Sequence, residues 1–152
     1  PADDEIVPQA AAIATNIARL AEGQVRQAQD LLVAAATAAS AVWERIGDWR
    51  ATHKALFHRG KAFLLAADPT RALAVVQAMM ELEDHNQAGP AERFHTASLA
   101  CRAQVVRGQF KIAGGALEAC RDFAKRVGEP QAKPVVAAMD DLEKYIAAMR
   151  ST

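Results

Sequence analysis

Apolar residues recur at helical spacing through most of the chain, and turn residues divide them into segments. Ile13, Ile17 and Leu20 fall at i, i+4 and i+7, so they share one face of a helix. Proline suits the first position of a helix and glycine its C-terminal end. This pattern predicts a first helix from Pro8 to Glu22, which Gly23 ends, and a second helix from about Gln24 to Ile46 that forms a hairpin with it.

Aspartate, proline and glycine mark the later boundaries. Asp68 is a good N-cap residue, Pro69 can occupy the first helical position, and Gly47 and Gly108 stand where helices end. The last apolar stripe faces a row of charged residues, which is typical of a capping helix. The predicted units are a flexible lead over residues 1–7, helical hairpins over residues 8–46, 49–84 and 90–128, and a capping helix over residues 134–150.

A short pattern occurs three times along the chain. It begins at Gly23, Ala67 and Gly108, which are 44 and 41 positions apart, and each copy has a turn residue, a ring or branched residue and then an alanine. Self-similarity at this period indicates a helical repeat array, in which each unit buries its apolar face by stacking on its neighbours. The sequence therefore predicts one repeat domain after the lead.

Composition supports an all-α protein and argues against nucleic acid or a membrane as its partner. About half of the 152 residues are apolar and many of these are alanine, the best helix former. Acidic and basic residues balance at 18 each, so no overall charge favours nucleic acid. No apolar run reaches the ~20 residues of a membrane span, and two cysteines are too few for a disulfide framework. We expect a cytoplasmic protein without a membrane anchor.

The repeated residues resemble the tetratricopeptide repeat family, in a longer-helix variant like those of bacterial regulator sensor domains and some scaffold proteins. The matching positions of the central unit are Gly60, Phe63, Ala67, Ala72, Val76 and Met79, and those of the third unit are Cys101, Gly108, Phe110, Ala113, Leu117 and Cys120. The resemblance implies a right-handed α-solenoid of three antiparallel helical hairpins plus the capping helix. It also implies a non-catalytic module for protein or peptide interaction, or alternatively a regulatory or sensor domain of a larger protein.

In this family, ligands lie on the concave surface formed by the first helix of each pair. Carried over position by position, the resemblance predicts a partner-binding surface of Lys54, Phe57, His58, Lys61, Leu65, His95, Ser98, Leu99 and Arg102. Because lysine and arginine pair with carboxylates, an acidic peptide or the C-terminus of another protein is the expected partner. The alternative is that these cations form an ordinary solvated helix face.

Two further patterns in the sequence concern metal and thiol chemistry. Glu92 and His95 have the Glu-x-x-His spacing of di-iron bundles, but a second such motif is missing, so no metal and no other cofactor is predicted. A helical-bundle enzyme or metal-binding protein remains the alternative of another functional class.

Cys101 and Cys120 fall at matched positions of the third unit and are expected to pack together as buried thiols. The stripe of the last helix, which includes Met139, Leu142 and Ile146, could also join two copies in a homodimer.

Overall fold

The computed structural model describes the backbone of residues 2–152 and the side chains of residues 23–152. The predicted stripe of Ile13, Ile17 and Leu20 lies outside the described side chains. Over residues 2–152 the chain is all-α, as predicted, with six helices and no strand. None of these helices, over the residues described, is long and apolar enough to cross a membrane. The helices are α1 (Ala2–Ile46), α2 (Trp49–Leu65), α3 (Pro69–Asn86), α4 (Pro90–Val106), α5 (Phe110–Arg126) and α6 (Ala132–Arg150).

Helices α2 to α6 begin and end close to the predicted boundaries, because the local signals there are strong. Asp48 accepts a hydrogen bond from the Ala51 amide, and Asp68 accepts one from the Arg71 amide, each at 3.0 Å. An N-cap of this kind contributes about 1 kcal/mol. Gly108, which follows α4, has a φ of +72°, a conformation that strains residues with a side chain.

Helix α1 differs from the prediction, because it runs without a break through Gly23. The segment predicted as a hairpin over residues 8–46 is therefore one helix, and the predicted lead is helical from Ala2. Gly47 ends α1 with a φ of +82°, whereas Gly23 does not adopt a positive φ. A glycine inside a helix costs only about 1 kcal/mol relative to alanine, and its glutamate and glutamine neighbours are good helix formers, so the helix continues.

Consecutive helices pack in antiparallel order, and the even-numbered helices α2, α4 and α6 lie side by side. Helix α1 packs on α2, and each later helix packs on the next, while α2 also contacts α4, and α4 contacts α6. His53, early in α2, contacts Glu83, late in α3, whereas Arg71 at the start of α3 stacks on Phe63 near the end of α2. Helix α4 is the centre of the molecule, because it contributes to both apolar cores and contacts α2, α3, α5 and α6.

Helices α2 and α4 approach closely and run in the same direction. His53 meets Thr96 near the start of both helices, and Gly60 meets Leu99 further along. A Cβ on Gly60 would lie 3.0 Å from Leu99 Cδ1 and 3.1 Å from Leu99 Cγ, and Leu99 is fully buried. The absence of a side chain at Gly60 therefore sets the separation of the two helices that carry the predicted site.

The apolar stripe of α6 packs inside the molecule. Leu142 is fully buried and Ile146 is buried in a core that includes residues of α4 and α5, and Met139 packs against the same core. Because these neighbours cover the stripe, it is not available to a second copy. The alternative of a homodimer seam on the last helix is therefore not supported.

Candidate functional site

Helices α2 and α4 together form a face that holds a pocket of about 360 Å³. Its lining residues are Arg50, His53, Lys54, Phe57 and His58 of α2, Ala91, Glu92 and His95 of α4, and Gln131 just before α6. Four residues of the predicted partner-binding surface, Lys54, Phe57, His58 and His95, therefore meet in one place. They meet because α2 and α4 run parallel, so that the first turns of both helices lie side by side.

Phe57 forms the apolar part of this pocket. Its ring centroid lies 5.2 Å from that of His95 and 5.8 Å from that of His58. The Lys61 ammonium lies 5.4 Å from the centroid of the same ring, a cation–π contact worth about 0.5–1 kcal/mol at an exposed site. A half-buried ring edged by polar groups suits a side chain with an apolar body and a polar end.

A smaller depression of about 120 Å³ continues the same face toward α6. It is lined by Lys61, Leu64 and Leu65 of α2, Arg102 of α4 and Tyr145 of α6. The Arg102 guanidinium carbon lies 4.7 Å from the centroid of the Tyr145 ring, and Arg102 Nε is buried without a hydrogen-bond partner. Because Lys61 lies over Phe57 and also lines this depression, the pocket and the depression adjoin.

Three cations of this face are available to an anion. Lys54, Lys61 and Arg102 form no ion pair with any residue whose side chain is described. Arg121 of α5, by contrast, is paired with Glu143 at 3.0 Å, while Lys111 of the same helix has no ion pair among the described side chains. The face therefore carries positive charge that the described acidic residues do not neutralise.

His53, Glu83 and Thr96 form a buried polar cluster that joins α2, α3 and α4. His53 Nε2 lies 2.8 Å from Glu83 Oε1 and 3.1 Å from Thr96 Oγ1, and the Thr96 hydroxyl donates to the same carboxylate oxygen. Because a carboxylate only accepts, Nε2 of His53 carries the hydrogen. The cluster fixes the His53 ring, and with 3% of its surface exposed this residue shapes the pocket wall and offers little surface to a ligand.

The positive charge of the pocket at neutral pH comes from lysine and arginine. Burial lowers the pKa of His58, and the charges of Lys61 and Lys54 lower it further. Burial is also the largest cause that lowers the pKa of His95. Since an ordinary histidine has a pKa of 6.5, lowered values leave both imidazoles neutral at pH 7.

Two residues of the predicted surface, Ser98 and Leu99, lie in the interior instead. Their exposed fractions are 4% and 0%, and Leu99 packs on Gly60 within the core of α2, α3 and α4. Helical spacing places both residues near His95 and Arg102, but four helices surround α4, so its free face is narrower than the pattern predicts. Ser98 and Leu99 are therefore not part of the exposed face of α2 and α4.

The described part of the protein contains neither a cluster of metal-ligating side chains nor a reactive thiol. Among residues 23–152, no group of three or more His, Cys, Asp or Glu side chains is arranged to hold a metal ion. Glu92 and His95, which have di-iron spacing, line the pocket instead. Cys101 and Cys120 are free thiols in one core, where burial raises the pKa of Cys120 to about 12 and raises that of Cys101 as well. Both thiols are therefore protonated and unreactive at neutral pH.

The sequence reasoning missed several residues of this face. His53 lies about one turn before Phe57 and Arg50 about two turns before it, so extending the same helical spacing backwards identifies them. Gln131 and Tyr145 come from the last part of the sequence, and no local signal places that helix beside α4. Their contribution depends on tertiary packing that periodicity does not encode.

No family model matches the protein, and searches of curated proteins and of solved structures gave no match either. Function must therefore be argued from the site itself.

Proposed function

We propose that this protein is a non-catalytic interaction module that binds an acidic segment of a cytoplasmic protein on the face of α2 and α4. One observation carries the proposal: Lys54, Lys61 and Arg102 lie along two adjoining depressions and have no acidic partner among the described side chains. Unpaired cations beside an apolar ring favour a ligand that brings carboxylates and an apolar side chain.

The proposed architecture is a right-handed solenoid of the tetratricopeptide type. In support, α2, α4 and α6 are neighbours in that order, while α3 and α5 are the antiparallel partners that follow α2 and α4 in the sequence. Tyr145 of α6 then extends the face begun by Phe57 and Arg102. A row of first helices of this kind is the surface on which the family binds its ligands.

The proposed mechanism is preorganised docking. The Phe57 ring is held between His58 and His95, and the Arg102 guanidinium is stacked on Tyr145, before any partner arrives. Because these side chains are already ordered, the bound peptide bears most of the entropy cost of association. The carboxylate of the peptide would lie at Lys61 and Arg102, and an apolar side chain would enter the pocket beside Phe57.

The test is a selection of displayed acidic peptides against the parent protein, followed by affinity measurements with the selected peptides. The Lys61→Glu, Arg102→Glu variant should bind at least about tenfold more weakly, which corresponds to ~1.4 kcal/mol. The matched control is Lys111→Glu, Lys125→Glu, which makes the same change of net charge on exposed lysines of α5. Equal affinity for the parent and both variants would contradict the proposal, and equal weakening in both variants would reduce it to general charge attraction.

A further inference from the structure

A second concave region lies along α2, between α1 and α3. Over the described residues, α1 and α3 each pack on α2 without packing on each other, so α2 forms a floor between them. Three cavities of about 570, 200 and 310 Å³ lie along this floor. The first two share Leu56, Arg59 and Ala78, and the last two share Phe63 and Arg71, so the three cavities adjoin. We refer to them together as the α1–α3 groove.

Two arginines line the middle cavity of this groove and stack on the same ring. The guanidinium carbon of Arg59 lies 5.6 Å from the centroid of the Phe63 ring, and that of Arg71 lies 5.8 Å from it. The other described residues that line this cavity are all aliphatic, and none is acidic. Two cations beside one apolar ring, without a carboxylate in the lining, favour an anionic group at this point.

Arg59 lacks bonding partners in this environment. Its Nε atom is buried without a hydrogen-bond partner among residues 23–152, and no described carboxylate forms an ion pair with it. Glu81, which lines the adjoining large cavity, accepts a hydrogen bond from Gln77 at 3.1 Å. A buried donor without an acceptor is unfavourable, and a guanidinium matches the two oxygens of a carboxylate or phosphate. An oxyanion in the groove would therefore supply the acceptor that Arg59 lacks.

Arg71 has donors left for the same anion. Its guanidinium pairs with Asp68 at 3.3 Å, but 69% of the Arg71 side chain is exposed, so this ion pair is weak. A guanidinium has five N–H donors, and a single carboxylate occupies only part of them. Arg71 can therefore stay paired with Asp68 and still donate to a ligand beside Phe63.

The largest cavity offers space for an apolar part of the ligand. It extends from Arg59 past Leu56 to Trp49, which lies ten residues earlier on α2 and about 15 Å away along the helix axis. Its volume of about 570 Å³ is within the range of pockets that hold small molecules. Glu44 of α1 and Glu81 of α3 also line this cavity, and neither forms an ion pair with a described cation. These carboxylates disfavour a second anionic group on the ligand.

We propose that the α1–α3 groove binds a small organic anion, in which a single carboxylate or phosphate group is attached to an apolar body. The anionic group lies against Arg59 and Arg71, and the apolar body extends along α2 toward Trp49. The arginines select the anionic group, and the two carboxylates of the large cavity reject a second one. The groove shares no lining residue with the pocket or the depression on α2 and α4, so this proposal and the proposed function can fail independently.

A set of matched probes tests the chemistry of the ligand. Octanoate has a carboxylate and an apolar chain, acetate has the carboxylate alone, 1-octanol has the chain alone, and suberate has a carboxylate at both ends. Octyl phosphate replaces the carboxylate by a phosphate. Binding is followed by the fluorescence of Trp49 in the Trp43→Phe protein, where it is the only tryptophan.

Octanoate or octyl phosphate should bind at least about tenfold more tightly than acetate, 1-octanol and suberate, and the tighter of the two identifies the anionic group. If 1-octanol or suberate bound as tightly as both anionic amphiphiles, the proposal would be wrong. It would also be wrong if neither amphiphile showed saturable binding.

Arginine variants test the location of the site. Arg59→Gln and Arg71→Gln should each weaken binding of the preferred probe at least about tenfold, and Arg59→Lys, which keeps the charge, should lose less affinity than Arg59→Gln. The matched control is Arg126→Gln, because Arg126 stacks on Phe123 at 4.9 Å in α5, a helix that does not pack on α2 or α3. Urea unfolding identifies any variant that does not fold, and the exposed Arg71 provides the test if Arg59→Gln fails in this way.

The double variant of the other face provides a second control. The Lys61→Glu, Arg102→Glu protein should keep the parental affinity for the probe, because neither residue lines the α1–α3 groove. Equal probe affinity in the Arg71→Gln and Arg126→Gln proteins would overturn the proposal. A loss of affinity in the Lys61→Glu, Arg102→Glu protein, with no loss in Arg71→Gln, would place the anion on the face of α2 and α4 and would also overturn it.

Discussion

Helices α1 and α4 both contain alanine at short intervals, yet their surroundings differ completely. Seven residues of α4 are buried, whereas Ser40 is the only buried residue among residues 23–46 of α1. Helix α4 packs against four other helices, and α1 packs on α2. The difference between the two helices comes from their neighbours and not from their intrinsic helix propensity.

This comparison shows what an alanine-rich helical pattern can indicate. Periodicity predicts where a helix runs and which residues share a face, but it does not say how many faces are covered. In α4 almost every face is covered, so only His95 and Arg102 of its predicted contact residues remain accessible. In α1 an apolar face stays open over residues 23–46.

The largest expected difference between the two helices is the loss of stability when a leucine is shortened to alanine. Leu99→Ala should lower the free energy of unfolding by about 2–5 kcal/mol, because it leaves a cavity in a fully buried position. Leu31→Ala should change it by less than ~0.5 kcal/mol, because Leu31 is 71% exposed. Urea unfolding of both variants measures the contrast. Similar losses in the two variants would mean that α1 is enclosed as α4 is.

Glycine substitutions should have opposite signs in the two regions. Gly60→Ala should lower the free energy of unfolding by about 1–3 kcal/mol, because its Cβ would collide with Leu99. Gly23→Ala should raise it by roughly 0.5–1 kcal/mol, because no atom lies within 4 Å of the new Cβ and alanine is the better helix former. The same unfolding experiment applies. A destabilised Gly23→Ala protein would indicate a left-handed glycine and hence a turn at that position.

The smallest expected effect is a pH dependence to which α4 contributes through His95 and α1 does not contribute, since α1 contains no histidine. Because folding lowers the pKa of His95, the unfolded state binds more protons below about pH 6.5. Stability should therefore fall as the pH drops below that value, through the lowered pKa of the folded protein. His95→Gln should make the decrease shallower in urea unfolding between about pH 7 and pH 5. Identical pH profiles for the parent and the variant would contradict the assigned environment of His95.

The elements with strong local signals were predictable from sequence. Asp48 and Asp68 cap helices as expected, and Gly47 and Gly108 adopt positive φ values where helices end. Gly23 has the same residue type without that conformation, because its flanking residues favour helix and no tertiary contact forces a turn. A single glycine therefore does not distinguish a helix end from a helix interior.

The sequence predicted which residues share the face of the candidate site, but not which of them are exposed and which are buried. Lys54, Phe57 and His58 are accessible because they lie on the side of α2 that lines the pocket, whereas the buried residues of α2 pack against the neighbouring helices. Leu99 is inaccessible because it packs on Gly60, a contact between residues 39 positions apart in the sequence. Tyr145 joins the face through an even longer connection. Contacts of this kind arise from the stacking of helices, which the periodicity of apolar residues along the sequence does not predict.

The contrast between an open α1 and an enclosed α4 depends most directly on α1 being one helix. A distance between spin labels at residues 9 and 44 tests this, in a sample diluted with excess unlabelled protein so that only distances within one molecule are measured. A continuous helix predicts about 50 Å, from a rise of 1.5 Å per residue. A hairpin that turns at Gly23 would bring the two labels within about 20 Å of each other, because packed helices lie 8–10 Å apart. That short distance would contradict the single continuous helix α1 and the open face that it presents.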